Sequence, residues 1–371
     1  MPILPATPPP EPRPRLRDLG IGLGTLPPGQ YNAITDVPGV QVGHVTLLAS
    51  LDGRPVRTGV TVIRPHGENE YLERVTAAVE TINGFGKAVG FEQVRELGLL
   101  ETPIALTNTL SVPAAAEGLL RWTLAHNPAA TTINPVVAEC NDSRLNDIAG
   151  LHVRPEHVEQ ALAAARAGPV AEGTVGAGTG MVGFGFKGGI GTASRVVTVQ
   201  DSRFTVGALV LLNCGQRADL VVAQVPVGRW LASPQPKPTQ AGEAGSVIVV
   251  LATDAPVTAR QLGRLARRAV IGLAHTGAML DHQSGDFVIA FSTAQRWPRA
   301  DQRPLIPLLC INEALLANLF FRAVIESTEE AVLNALFTAR GVPGAGGEAF
   351  PELPAEAVLN AVAKESMSHV R

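Results

Sequence analysis

Apolar, β-branched segments alternate with helical patterns over most of this 371-residue chain, separated by glycine-rich turns. That order predicts an α/β or α+β fold. Candidate strands are 39–46, 59–63, 104–107, 207–212, 246–251 and 287–291. Several are short and nearly all apolar, Val247-Ile-Val-Val-Leu-Ala252 above all. Such strands are expected to be covered on both faces, by helices or by a second sheet. Helical spacing is clearest at 155–166, ended by Gly168, at 258–274, opened by a capping Thr258 and closed near Gly277, and at 311–340. Residues 232–245 read as a linker and 341–347 as a second, glycine-rich break. The first 20 residues form a proline-rich arm of extended polyproline type. No repeat is visible, and no boundary isolates a separate N-terminal domain.

With 46% hydrophobic and 17% charged residues, the chain can bury a substantial core. The net charge of -3 supplies no basic stripe for a phosphate backbone, and two Tyr and three Trp are too scattered to stack bases, which argues against a nucleic-acid partner. Prolines interrupt the apolar segment that a secretory signal would need, and no apolar run reaches the length of a membrane span. The three cysteines, Cys140, Cys214 and Cys310, are odd in number and far apart. They fit reduced thiols in a cytoplasmic protein, each read as a small core residue.

The chemistry-bearing positions are individually weak. The cluster 176–189 contains a G-x-G-x-x-G at 178–183, with Asp201 eighteen residues later, but the segment before it is a poor strand. A backbone-close loop lining a pocket is the favoured reading over a dinucleotide site. Lys187 lacks the flanking residues of a P-loop, the eight histidines show no zinc spacing, and no G-x-S-x-G elbow occurs. Ser284 and Asp286, at the mouth of the 287–291 strand, put a hydroxyl and a carboxylate two residues apart. Asn213 ends another strand and could donate to an oxyanion. Glu139, in Glu139-Cys-Asn141-Asp142, follows the apolar 135–138 and offers a carboxylate at a further strand end. At Gly245-Ser246 a polar loop meets a buried strand. Cleavage there would give Ser246 a hydroxyl nucleophile and a free α-amine of pKa near ~8, its own general base.

In combination, the order Pro135-Val-Val-Ala-Glu139-x-Asn141-Asp142, Leu145-Asn-Asp-Ile148, Gly176-Ala-Gly-Thr-Gly180, Asn213, Gly245-Ser246 and Ser284-Gly-Asp286 resembles the DmpA-type family of L-aminopeptidase/D-amidase/D-esterases and β-peptidyl aminopeptidases. The resemblance runs from about Asp36 to the final helices. It implies a four-layer αββα sandwich, shared with ornithine acetyltransferase, and an inactive precursor that cuts itself into an α chain, 1–245, and a β chain, 246–371, of one domain. By position it implies Ser246 as nucleophile, Asn213 as oxyanion donor, Ser284 with Asp286 as the pair orienting the serine and its amine, and Glu139 as the acid holding the substrate ammonium. Substrates are then small peptides, amides or esters with a free amine, with no cofactor or metal, in a homo-oligomer of αβ units. Two positions depart from the pattern. Some members carry glutamate where Asp286 stands, and a tyrosine is expected where this chain has Arg144, which could donate a hydrogen bond or bind a substrate carboxylate. The alternatives are an ornithine-acetyltransferase-like acyl transferase, an unprocessed amino-compound-binding relative and, more distantly, a Rossmann oxidoreductase.

Overall fold

The computed structural model describes residues 8, 11, 13–231, 245–344 and 349–368. The proposed linker, apart from Gly245, and half of the proline-rich arm lie outside them, as does part of the 341–347 break. Strands run, in chain order, β1 Gln41–Leu51, β2 Arg54–Arg64, β3 Glu73–Gly84, β4 Leu99–Leu100, β5 Ile104–Asn108, β6 Val136–Cys140, β7 Val182–Gly183, β8 Phe186–Lys187, β9 Gly189–Val199, β10 Ser202–Asn213, β11 Ser246–Thr253 and β12 Gly285–Pro298. β1-β2-β5-β6 form one sheet and β4-β3-β12-β11-β10-β9 another. Asp52 and Gly53, both with positive φ, close the β1–β2 hairpin, where a two-residue turn needs left-handed backbone.

Side-chain alternation sorts the strands into layers. On β11, Ile248, Val250 and Ala252 pack with Leu209 and Leu211 of β10, Phe287, Ile289 and Phe291 of β12, and Ile63, Leu106, Val136 and Ala138 of the other sheet. The intervening Val247, Val249 and Leu251 join the helices Ala259–Ala266, Ala269–His275 and Phe321–Phe337 on the far side. The outer face of the smaller sheet, through Val45, Val60, Val62 and Val137, meets the helices Val112–His126 and Pro155–Ala163. The result is the four-layer αββα sandwich that the family resemblance implied, and it covers the apolar strands on both faces.

Several expectations are revised. The 258–274 helix is two helices, broken at Arg267 and Arg268, although Thr258 caps the first as expected through a reciprocal capping box with Gln261. Helical structure at 311–340 is a short turn, a π-turn at Leu316–Phe320, then Phe321–Phe337. Cys140 and Cys214 are buried, but Cys310 is exposed, because 302–310 is an irregular surface segment. The glycine cluster is a buried 3-10 turn, Gly176–Gly180, followed by the β7–β8 hairpin, not an open loop around a pocket. No α-helix begins at 178–183, which removes the pyrophosphate-binding helix terminus that a dinucleotide site requires.

Candidate active site

The end of the sheet-to-sheet interface brings the strand-end residues together. Ser246, the first residue of β11, pairs with Asn213, the last of β10, and with Gly285 at the start of β12. Its alternation places it with Ile248 and Val250 on the face toward the second sheet, where β6 ends at Cys140. Asn213 Nδ2 donates to Ser246 Oγ at 3.2 Å, and the backbone N–H of Asn141 points at the same oxygen at 3.4 Å. Both contacts are long, as is usual for catalytic hydrogen bonds before a substrate tightens them. The amide of Asn213 has one orientation: Val182 N–H donates to its Oδ1 at 2.9 Å, and Nδ2 also donates to the Asn141 carbonyl at 2.9 Å.

Ser284 Oγ donates to Asp286 Oδ1 at 2.6 Å, and the buried Oδ2 has no hydrogen-bond partner among the described residues. Its neighbours Val288 and Ala290 belong to the helix-side core, so this carboxylate approaches β11 from the face opposite the Ser246 hydroxyl. Burial pushes the Asp286 carboxyl up to about 6, partly offset by the Ser284 hydrogen bond. Asn83 Nδ2 ties down the approach to this pair by donating to the carbonyls of Asp281 and His282, both at 3.0 Å, and of Ser284 at 2.5 Å. Gly285 N–H donates to the Gly245 carbonyl at 3.3 Å, the carbonyl of the bond preceding Ser246.

Glu139, next to Cys140 on β6, is almost fully buried; its Oε1 accepts from Lys87 N–H at 2.8 Å and its Oε2 from the Thr109 hydroxyl. Gly86 fits between this carboxylate and β12. A Cβ there would stand 3.3 Å from Glu139 Oε1, 3.0 Å from Gly285 Cα and 2.6 Å from the Phe287 ring. Only glycine lets the 84–87 segment close over the site so tightly. Asp142 holds the next turn, its carbonyl accepting from Leu145 and Asn146 N–H at 3.0 and 2.9 Å; burial pushes its own carboxyl up to about 7. Arg144 carries its guanidinium over the Phe350 ring, 5.7 Å from the centroid. The Cys140 thiol donates to the Leu211 carbonyl at 3.6 Å, and burial raises its pKa far above the range of a competing nucleophile.

Ser246, Asn213, Ser284, Asp286 and Glu139 thus converge, as do the main chains of Gly245 and Gly285. The roles of Asn141 N–H, Val182 N–H, Lys87 N–H and Thr109 could not be read from the sequence. Three of them are backbone groups, which every residue type supplies alike. Asn83 is a side chain, but nothing in its local pattern marks it. Among the described residues no cluster of three or more His, Cys, Asp or Glu could hold a metal ion.

A serine at a strand end inside an αββα sandwich, with two amide donors facing its hydroxyl, has the layout of an N-terminal-nucleophile hydrolase. Comparisons with known proteins agree. The profile of peptidase family S58 matches residues 32–350. The β-peptidyl aminopeptidase BapA of Sphingosinicella xenopeptidilytica is 42% identical over 349 residues, 89% of this chain and 86% of that protein. Among solved structures, the Burkholderia sp. β-aminopeptidase is 43% identical with a TM-score of 0.88, covering 94% of this chain and 98% of that one. The L-aminopeptidase D-Ala-esterase/amidase of Ochrobactrum anthropi, described as a variant of the Ntn hydrolase fold, is 40% identical with a TM-score of 0.89, covering 95% and 99%. This chain belongs to peptidase family S58 and is a hydrolase, an aminopeptidase.

Proposed function

We propose that the protein is a self-processing aminopeptidase that cuts its own Gly245–Ser246 bond and then hydrolyses peptides, amides and esters after a small N-terminal residue with a free amine. The observation that carries this reading is the Ser246 hydroxyl at the end of β11, facing Asn213 Nδ2 at 3.2 Å and Asn141 N–H at 3.4 Å. Before cleavage, Ser246 Oγ attacks the Gly245 carbonyl, whose oxygen accepts from Gly285 N–H, the Gly245–Ser246 C–N bond breaks as its nitrogen takes up the hydroxyl proton, and water hydrolyses the resulting ester to free the Gly245 carboxylate. Afterwards the freed amine takes the proton of the hydroxyl, with Asp286 stabilising the ammonium that forms. The substrate carbonyl is attacked, Asn213 Nδ2 and Asn141 N–H bind the oxyanion, and the amine or alcohol leaves with the proton. Water then releases the acyl group from Ser246.

Glu139 is assigned to the substrate ammonium. Its carboxylate is buried and already accepts two hydrogen bonds, so it is held in one orientation, with Gly86 between it and Gly285. Substrates with an N-terminal β-amino residue are the first to assay, since BapA is named as a β-peptidyl aminopeptidase. We assign Arg144, whose guanidinium lies over the Phe350 ring, to the leaving-group side of the site, and a homo-oligomer of αβ units in the cytoplasm to the assembled enzyme.

The test combines intact mass under denaturing conditions with hydrolysis of β-alanyl p-nitroanilide and its N-acetylated form. Two fragments of 245 and 126 residues (371 minus 245), with turnover of the free amine alone, are expected. An uncut, inactive chain would favour the amino-compound-binding alternative, and acetyl transfer to ornithine or glutamate the transferase. Glu139→Gln should raise KM for the free-amine substrate by about tenfold to a hundredfold, the worth of one charge-assisted contact. Gly86→Ala, which crowds Glu139, Gly285 and Phe287 together, should move KM the same way to a smaller extent. An unchanged KM in Glu139→Gln would remove Glu139 from the amine site.

A further inference from the structure

Lys187 is wholly buried, and the chemistry above does not use it. Its ammonium nitrogen donates to three main-chain carbonyls, Gly178 at 2.9 Å, Met181 at 3.0 Å and Gly188 at 2.7 Å. Those three bonds employ all the donors an ammonium has. Gly188 N–H also donates to the Met181 carbonyl at 2.9 Å. The Met181 carbonyl and the Val182 N–H are two ends of one planar peptide unit, so fixing the oxygen fixes the direction of the N–H. That N–H is the donor to Asn213 Oδ1 at 2.9 Å. Nδ2 is thereby turned to the Asn141 carbonyl and Ser246 Oγ.

We propose that Lys187 is a positioning residue for the reaction, acting through the Met181–Val182 peptide to lock the Asn213 amide with its donor end on Ser246. This rests on the reading of Asn213 as the oxyanion donor. The cation does two things. It holds the glycine-rich turn shut around its own charge, which no apolar side chain of that length could do with three carbonyls converging on it. It also polarises the peptide it touches, and hydrogen bonds in series strengthen one another, so Val182 N–H and then Asn213 Nδ2 become better donors to a developing oxyanion. Burial lowers the pKa of this lysine to about 7, and the three carbonyls that accept from it work against that loss of charge. The glycines of the cluster gain a reason here: Gly178 and Gly188 pass so near other main chain that a Cβ would stand 2.5 Å from Ile190 N and from the Leu212 carbonyl, respectively.

The test is a double-mutant cycle between positions 187 and 213, read as kcat and KM on β-alanyl p-nitroanilide per mole of processed chain. Variants that cut themselves slowly are read on the rate of self-cleavage by intact mass. Lys187→Met, Lys187→Gln and Lys187→Arg are all made, so that any replacement that folds carries the cycle. Lys187→Met is expected to lower kcat about tenfold to a hundredfold with KM within twofold, and Lys187→Arg, which keeps the charge, to lose less. In the Asn213→Ala background the same replacements should cost nothing further, because the group they act through is gone. Losses that multiply in the double variants, or a fall confined to KM or to melting temperature, would overturn the proposal and leave Lys187 a structural residue. If Asn213→Ala alone keeps full kcat, the oxyanion reading itself is wrong, a result distinct from a failed link to Lys187.

Discussion

Ser246→Ala is expected to yield one uncut chain of 371 residues with no hydrolysis of any free-amine substrate. The replacement removes the single oxygen on which Asn213 Nδ2 and Asn141 N–H converge. Without cleavage the nitrogen of residue 246 stays an amide and cannot serve as a base, so nucleophile and base disappear together. The fold should survive, since β11 loses one hydroxyl at its first position while its apolar residues stay on their two cores. Losses from removing a catalytic unit of this kind are of order 10⁴-fold or more. Intact mass, far-UV circular dichroism and turnover on the same sample decide the matter. Ser246→Cys, which keeps a nucleophile at the same place, should still cut slowly. An alanine variant that is cleaved, or that turns over substrate, would place the chemistry elsewhere in the molecule.

The second large effect joins activity and stability in opposite directions at Asp286. Asp286→Asn removes the negative charge assigned to the Ser246 ammonium, and kcat should fall by about 10² to 10⁴, the usual worth of general-base assistance. The same change should stabilise the protein at neutral pH. In the folded chain burial raises this carboxyl from 3.8 to about 6. A carboxyl whose folded pKa is raised contributes stability that is full below about 3.8 and is lost as pH rises through about 6. Above that pH the folded protein carries a buried carboxylate that the unfolded chain would solvate more easily. Asparagine carries no such charge, so its melting temperature should exceed the parent's at pH 7.5 and match it near pH 4. The comparison belongs in the Ser246→Ala background, where no free ammonium offsets the carboxylate. A variant with lower stability at both pH values would show that the hydrogen bond from Ser284 at 2.6 Å, and not the charge, governs this position. This is the exchange of stability for function common at active sites.

Much of the architecture was legible in the chain. Strands with β-branched residues at consecutive positions, such as 247–251, announced burial on both faces, and both faces are indeed covered, by helices and by the second sheet. Thr258 marked a helix start through its own hydroxyl, a local signal. β3 and β9 were not recognised. Thr, Glu and Asn interrupt the apolar run in β3, and β9 opens with glycines, so neither carries the short-range pattern that period-2 reading detects. The break at Arg267 and Arg268 was missed for a related reason: helical spacing continues across it, and packing on the sheet and on the helix Phe321–Phe337 decides where each helix lies.

The site divides along the same line. Side chains with distinctive chemistry at strand ends, Ser246, Asn213, Ser284, Asp286 and Glu139, were legible as candidates because residue type is written in the chain. Their order along it resembled one family, to which the chain belongs. What the sequence by itself determined is therefore the burial of the strands on both faces and the identity of the reactive groups, since both follow from local pattern and residue type, while the four layers were implied by the family resemblance. Only the tertiary structure decided that Asn141 and Val182 lend their N–H groups, that Gly86 closes against Gly285, and that a buried lysine stands behind the asparagine. Those contacts depend on main-chain direction and on approach between segments tens to hundreds of residues apart, and no residue type encodes either.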